Sequence, residues 1–362
     1  MAYPIRQTRG RSVTVEATFR RAEGDGRSWE VRADGGGVLG PVAPTDVGFA
    51  PGRDVASAFL ALEGRTFAVV GRHDVTWTWY ARPAGSSEPW TTLGTTAHRV
   101  YLVLAVPGHP WSPDFASPEN PWTDLLDYSC AIAAGATTAR DATRALVEAV
   151  YSDYRLKYDI LEGQRRYFGF EFLLTLWIER VLRGHRTDVP YMEGCPGKRW
   201  WNDWIVNCQD CGGSVTLMST ILGAATEYVE QTPFGFVNII EPIGRRATNN
   251  PFHGCRGQPI VPPEAPREPF DYHAYAMLCG ARYDACIKVW VGGIARAALW
   301  LAWLITVVAT LGRVRPGWLV DRAEGWLVDL DGRTYDQLVL DPFVAGGTPI
   351  PGEPLPRTVR FL

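Results

Sequence analysis

The sequence predicts an α+β protein, in which an N-terminal β-sandwich domain precedes a domain of helices and antiparallel strands. Residues 1–112 contain short strand-like runs separated by turns rich in Gly and Pro. Helical periodicity dominates residues 113–183, and strand-like runs follow a later helix that begins near residue 208. We therefore predict a second domain over residues 113–345 and a Pro-rich, extended tail over residues 346–362.

The N-terminal domain is predicted to be entirely β-structure. Its strand candidates are rich in β-branched and aromatic residues, and turn residues such as those at 34–37 and 83–87 separate them. Short strands with regular turn signals are typical of sandwiches, and we predict an immunoglobulin-like one. The strand candidates are residues 12–19, 29–33, 66–70, 75–80 and 100–106.

Composition limits the classes of function that the chain can serve. Its 362 residues leave room for two or three domains with a sizeable core. The 36 basic residues are outnumbered by 39 acidic ones, which gives a net charge of −3 and argues against nucleic acid as the main partner. We therefore expect a main partner other than nucleic acid, and we predict no cofactor and no metal.

Cysteine usage indicates a reducing compartment. The chain has seven Cys, an odd number that is not typical of a disulfide framework. The first residues, Met-Ala-Tyr-Pro-Ile-Arg, lack the apolar stretch of a signal peptide. Both features favour a cytoplasmic location, while export without a cleaved signal remains open.

Cys208 lies where a nucleophilic cysteine is expected. Apolar residues recur at helical spacing over 215–222, so a helix should begin close to Cys208. Asn207 can cap that helix, and Asp210 suits the positive end of its dipole. The unpaired backbone N–H groups at a helix start favour the thiolate form of a cysteine.

A cysteine nucleophile needs a base and a group that orients the base. His273 and Asp284 lie in strand-like runs downstream of Cys208 and are the strongest candidates for these roles. An unpartnered carboxylate on an apolar strand would be costly, which supports an orienting role for Asp284. The alternatives left open are His253 as the base, Asp271 as the orienting group and Cys211 as the nucleophile.

The two strand-like runs pose a geometric problem. They are predicted to form a hairpin with its turn at residues 280–282. His273 then starts the first strand and Asp284 starts the second, at opposite ends of the hairpin. The pair can meet only if the strands are offset or the second strand pairs elsewhere.

These residues resemble the transglutaminase-like superfamily of papain-like cysteine enzymes, in particular its bacterial members. Cys208, followed fifteen positions later by Gly223 in Ile-Leu-Gly, is similar to the nucleophile helix of that family. His273 and Asp284 resemble its second and third triad members, in the family's order. The resemblance covers roughly residues 118–290. Its helical lead-in is similar to residues 122–131, 135–138 and 142–154.

The resemblance implies a papain-like α+β domain in which the cysteine helix packs on an antiparallel sheet. It also implies cysteine-dependent acyl transfer on protein or peptide amides, most often proteolysis or deamidation, and cross-linking when an amine accepts the acyl group. The chain departs from the family pattern at Cys211-Gly212, where an aromatic residue and Ala are usual, and at Tyr275, where Trp is common.

Two alternatives belong to other functional classes. The chain can be a binding or structural protein with a degenerate site. It can also hold a structural zinc ion, because Cys208 and Cys211 form a CxxC motif and His253 and Cys255 add two further ligand types. A single CxxC with a distant HxC is a weaker zinc signal than two CxxC pairs.

The most apolar segment of the chain is residues 289–312. Its uncharged part, residues 297–311, is shorter than the roughly 20 residues that a spanning helix needs. We therefore expect a buried or partner-facing helix, with membrane association through this segment as the alternative.

Overall fold

The computed structural model describes residues 2–4, 13–21, 27–62, 67–107, 122–152, 154, 156–158, 165, 167, 177–184, 205–232, 234, 240–243, 272–289, 329–331 and 357–360. The chain divides into two compact units. The first unit comprises residues 1–106 with 134–137, and the second comprises residues 107–133 with 138–362.

The described part of the first unit is built from strands and short turns. Buried side chains alternate with more exposed ones along its strand Gly71–Pro83, as expected for a sheet with one face on a core, whereas the strand Thr91–Val103 is exposed in its first half and buried in its last four residues. The strands are β1 (Ala2–Pro4), β2 (Thr14–Arg20), β3 (Trp29–Gly35), β4 (Val42–Val47), β5 (Val55–Ala61), β6 (Gly71–Pro83) and β7 (Thr91–Val103).

These strands form a five-stranded sheet in the order β1-β7-β6-β3-β4 and a two-stranded sheet of β2 and β5. All pairs are antiparallel except β1 with β7. One hydrophobic cluster draws residues from both sheets, including Val15 and Leu60 from the small sheet and Val31 and Trp77 from the large one. The immunoglobulin-like topology stays a prediction.

Two details of the first unit differ from the sequence prediction. Residues 67–70 are irregular rather than part of a strand, and β6 begins only at Gly71. The strands β4 and β5 were not predicted. The run Ala-Pro-Thr-Asp in β4 and the Ala- and Ser-rich run in β5 have weak β-propensity, so tertiary pairing decides their conformation.

The second unit contains helices and short strands. Its helices are α1 (Trp122–Ile132), α2 (Ala139–Ser152) and α3 (Cys208–Thr220), with a π-helical turn at Ile178–Leu182. Its strands are β8 (Lys157–Tyr158), β9 (Ile205–Val206), β10 (Glu227–Gln231), β11 (Ile240–Pro242), β12 (His273–Leu278), β13 (Ala281–Tyr283), β14 (Ile287–Val289), β15 (Asp329–Asp331) and β16 (Arg357–Arg360).

The main sheet of this unit has the order β15-β13-β12-β10-β16 and is antiparallel throughout. Helix α3 packs on β12 and β10. Gly212 permits the close approach, because a Cβ at this position would lie 3.0 Å from the backbone nitrogen of Tyr275. The α+β class is thereby confirmed. Arg357–Arg360, within the predicted tail, forms an edge strand of this sheet.

The apolar segment 289–312, predicted to form a buried or partner-facing helix, lies outside the described residues except for its first residue. Within the part of the chain that the structure describes, no helix has both the length and the apolarity needed to cross a bilayer.

Candidate active site

Helix α3 begins at Cys208 because the residue before it caps the helix. Asn207 has extended backbone angles, and its side-chain oxygen accepts a hydrogen bond from the N–H of Asp210 at 3.1 Å. The Asp210 carboxylate accepts one in return from the N–H of Asn207, also at 3.1 Å. This reciprocal capping box holds the first turn, including Cys208, in one conformation.

Asp210 also ties the helix start to a distant segment. Its second oxygen accepts a hydrogen bond from the backbone N–H of Tyr167 at 2.7 Å. Asp210 is fully buried, and a buried carboxylate is tolerated only when donors satisfy it. The sequence analysis missed Tyr167, because a backbone N–H leaves no signal in the residue type.

His273 and Asp284 are brought together. His273 Nε2 lies 2.7 Å from Asp284 Oδ2, and both side chains are buried. The predicted turn at residues 280–282 was wrong. The turn is made by Cys279 and Gly280, both with positive φ, so Leu278 pairs with Ala281.

Because the turn comes earlier than predicted, Asp284 lies next to His273, and no offset between the two strands is needed. Strand β13 ends at Tyr283, which pairs with Ala276, so Asp284 follows the strand at the same end of the hairpin where His273 begins β12. The Asp284 carboxylate is held by a second contact, because its Oδ1 accepts a hydrogen bond from the N–H of Cys286 at 2.8 Å.

The charge state of His273 follows from these neighbours. Burial alone lowers its pKa, but the charge and hydrogen bond of Asp284 and a hydrogen bond to Cys208 outweigh burial and raise the pKa to about 10. Since Asp284 occupies Nε2, the remaining nitrogen, Nδ1, is the one available to the thiol. The ring of Phe234 packs on the imidazole with centroids 4.7 Å apart.

Two further thiols lie near this group. Cys211 and Cys286 are fully buried, unoxidised and hydrogen-bonded to each other. Burial raises the pKa of both thiols, and the negative charge of Asp284 raises each further. Both therefore remain protonated at neutral pH. Of the two cysteines in the CxxC motif, Cys208 is the one hydrogen-bonded to His273.

Polar residues that were not predicted from sequence lie near Cys208 and His273. Gln209 Nε2 donates to a carboxylate oxygen of Glu230 at 2.9 Å. On the same strand, Gln231 lies opposite His273, and its side-chain oxygen accepts a hydrogen bond from the Tyr275 hydroxyl at 3.0 Å. The register of β10 against β12 creates these contacts, and no local sequence pattern predicts that register.

Several predicted alternatives lie outside the described residues. They are the rival base His253, the zinc ligand Cys255 and the alternative carboxylate Asp271. Among the residues that are described, no group of three or more His, Cys, Asp or Glu side chains has an arrangement suited to a metal ion.

Comparison with known proteins gives little further information. No family model matches the chain, and no curated protein matches it. Among solved structures, a transglutaminase from red sea bream is similar at 9% sequence identity and a TM-score of 0.31. The alignment covers 75% of this chain but only 45% of that transglutaminase, so the chain spans less than half of its length. A TM-score this low supports neither a fold assignment nor a function.

Proposed function

We propose that this chain catalyses cysteine-dependent acyl transfer on protein or peptide amides. Cys208 is the nucleophile, His273 transfers protons and Asp284 orients the imidazole. The observation that supports the proposal is the buried His273–Asp284 pair, with 2.7 Å between its atoms, whose imidazole also interacts with the thiol of Cys208 at the start of a capped helix. This is the geometry that a thiolate–imidazolium pair needs.

The reaction proceeds through a thioester. With the proton of Cys208 on His273, the thiolate attacks the amide carbonyl carbon, a C–S bond forms and the carbonyl electron pair moves to oxygen. Collapse of this intermediate breaks the C–N bond while His273 gives its proton to the leaving nitrogen, which departs as an amine or ammonia. Water then attacks the thioester carbon while His273 accepts one of its protons; a C–O bond forms, the C–S bond breaks, and the Cys208 thiolate leaves as the carboxylic acid is released.

The negative oxygen of the intermediate needs hydrogen-bond donors. Backbone N–H groups in the first turn of a helix have no intrahelical partner, and the Cys208 N–H belongs to this group. We assign it to the oxyanion, where donors of this kind contribute on the order of 10²–10³ in rate. The capping box keeps that donor in place by fixing the first turn.

We favour hydrolysis, as proteolysis or deamidation, over cross-linking. Water reaches the thioester without a dedicated site, whereas cross-linking requires an amine to be bound in competition with water. The resemblance of Cys208, His273 and Asp284 to bacterial transglutaminase-like peptidases points the same way.

The proposal is tested by alkylation with iodoacetamide as a function of pH, with modified cysteines identified by mass spectrometry. A small reagent is required because Cys208 is only 3% exposed. At about pH 6, ordinary thiols with a pKa near 8.5 are almost entirely protonated. At this pH, we expect Cys208 to react faster than the exposed Cys279. Equal or slower labelling of Cys208 would favour the degenerate or structural alternative.

The matched variants are His273→Ala and His98→Ala. The first removes the imidazole next to the thiol and should abolish the low-pH reactivity of Cys208. The second removes a histidine from the first unit and should leave it unchanged. The reaction class is then read from glutamine-containing peptides in three assays: peptide cleavage, ammonia release and incorporation of a fluorescent amine. Cys208→Ala should abolish whichever product is found.

A further inference from the structure

Strand β10 places a carboxylate next to the proposed nucleophile. In the register of β10 and β12, Glu230 lies opposite Ala274, the residue that follows His273. Its side chain is half-buried, so a substrate group can reach it. The acyl-transfer steps proposed above give this carboxylate no role.

The Glu230 carboxylate is held in a fixed position. Its Oε2 accepts a hydrogen bond from Gln209 Nε2 at 2.9 Å and a longer one from the Tyr228 hydroxyl at 3.4 Å. Gln209 directly follows Cys208 in the first turn of α3. The carboxylate is therefore anchored to the same turn that carries the nucleophile. Its other oxygen, Oε1, accepts no hydrogen bond from the described residues.

The phenol of Tyr272 lies in the same neighbourhood. Burial raises its pKa to about 12, and the negative charges of Cys208 and then Glu230 act in the same direction, while Arg165 opposes them. The Cys208 thiol and the Glu230 carboxylate are thus both close enough to the half-buried Tyr272 to affect its pKa. Among the described residues, Glu230 forms no ion pair.

We infer that Glu230 is a specificity residue that receives a cationic group of the substrate, the side chain of an Arg or Lys close to the scissile amide. The inference rests on the proposed acyl transfer and names the substrate class of that site. An ammonium or guanidinium group donates to the free Oε1, which forms a charge-assisted hydrogen bond without breaking those from Gln209 and Tyr228. A half-exposed pair of this kind changes a rate by about fivefold.

The first test compares two thiol reagents of similar size and opposite charge. The cationic reagent is 2-aminoethyl methanethiosulfonate, and the anionic one is 2-sulfonatoethyl methanethiosulfonate. In both cases the thiolate attacks the sulfenyl sulfur, a disulfide forms and methanesulfinate leaves. The measured quantity is the ratio of cationic to anionic rates at Cys208, determined by site-resolved mass spectrometry.

Glu230→Gln should lower that ratio about fivefold. Glu227→Gln is the matched control, because Glu227 is an exposed carboxylate three residues earlier on the same strand, and this variant should leave the ratio unchanged. Gln209→Ala removes the anchor but not the charge and should lower the ratio by a smaller factor. The ratio at the exposed Cys279 should be the same in every variant, which confirms that only the local charge has changed.

The second test uses two peptide amides that differ only in Arg against citrulline, its neutral isostere. Wild type should prefer the Arg peptide through a lower KM, and Glu230→Gln should remove the preference. An unchanged reagent ratio and an unchanged peptide preference in Glu230→Gln would overturn the inference, while a reactive Cys208 would leave acyl transfer standing. If Cys208 reacts with neither reagent in wild type, acyl transfer fails, and the inference fails with it.

Discussion

The cores of the two units differ in what they bury. In the described residues of the first unit, every buried side chain is aliphatic or aromatic. The second unit also buries amides, hydroxyls and charged groups, which lie on α1 and α2, in and around α3, and on or beside the strands of the main sheet. They are Ser129, Thr143, Asn207, Gln209, Asp210, Ser214, Thr216, Ser219, Thr220, Thr226, Gln231, His273, Arg282 and Asp284.

The difference is consistent with the proposed position of the site in the second unit. An apolar core stabilises a fold without specifying any reaction, whereas a buried charge destabilises a fold unless a partner offsets the cost. Asp210 has two backbone donors, and Asp284 has a backbone donor and an imidazole. Buried ionisable groups with specific partners are common at functional sites, where the requirements of function often lower the local stability of the fold.

The largest expected effect is from Asp284→Asn, which keeps the shape of the side chain and removes its charge. Without the carboxylate, the imidazole loses the group that holds its tautomer and stabilises its protonated form. We expect kcat/KM for peptide amides to fall about 10³- to 10⁴-fold. Asp74→Asn is the control, since Asp74 is an exposed carboxylate of the first unit that pairs with Arg99, and its loss should change the rate less than twofold.

Next in size is Trp77→Ala in the apolar core. Trp77 is 1% exposed, and its indole N–H donates to the carbonyl of Gly40 at 3.0 Å. The cavity and the lost hydrogen bond should lower the free energy of unfolding by about 3–5 kcal/mol in urea titrations followed by circular dichroism. Phe59→Ala, at a side chain that is 72% exposed, should cost under about 0.5 kcal/mol.

The same Trp77 variant tests whether the apolar core of the first unit and the reactivity of Cys208 are independent. Under native conditions, the rate of Cys208 alkylation in this variant should match that of wild type, because the polar contacts described around Cys208 are made by residues of the second unit. Slower alkylation of Cys208 in a fully folded Trp77→Ala protein would show that the apolar core also affects the site.

Gly212→Ala should have a smaller effect on stability. This residue lies in the second unit, which contains the candidate site. The new Cβ would lie 3.0 Å from the nitrogen and 3.1 Å from the Cα of Tyr275, so α3 must move away from β12. We expect a loss of about 1–3 kcal/mol in the free energy of unfolding and slower alkylation of Cys208. In the first unit, Gly48→Ala should be tolerated, because nothing lies within 4 Å of its added Cβ.

The most gradual effect is the pH dependence of stability from His273, which builds up over several pH units. Its pKa is about 10 in the folded chain against an ordinary value of 6.5, so folding favours the protonated form. This stabilisation is complete below about pH 6.5 and is lost as the pH rises towards 10. The free energy of unfolding should fall over that range by at most about 1.4 kcal/mol per pH unit.

Equilibrium unfolding at several pH values measures this slope. His273→Gln should remove the contribution, whereas His98→Gln, in the first unit, should retain it. A slope that survives in His273→Gln would mean that another group is responsible.

The sequence by itself determined the features that depend on near neighbours in the chain. The cap by Asn207 and the start of α3 at Cys208 follow from residues within one helical turn. The α+β class follows from hydrophobic periodicity, which each segment carries independently. Cys208, His273 and Asp284 were also proposed from sequence, through local context and family resemblance, and their catalytic roles stay a prediction.

Tertiary structure alone decided the contacts that join distant segments. The hydrogen bond from Tyr167 to Asp210 joins residues 43 positions apart in the sequence, and the one from Gln209 to Glu230 joins residues 21 positions apart. The pairing of Arg357–Arg360 with β10 connects positions more than a hundred residues apart. Even the nearby His273–Asp284 contact depended on a turn only one residue earlier than predicted. Strand register and packing set these distances, and both are properties of the folded chain as a whole, because each pairing is selected by the burial of many side chains at once.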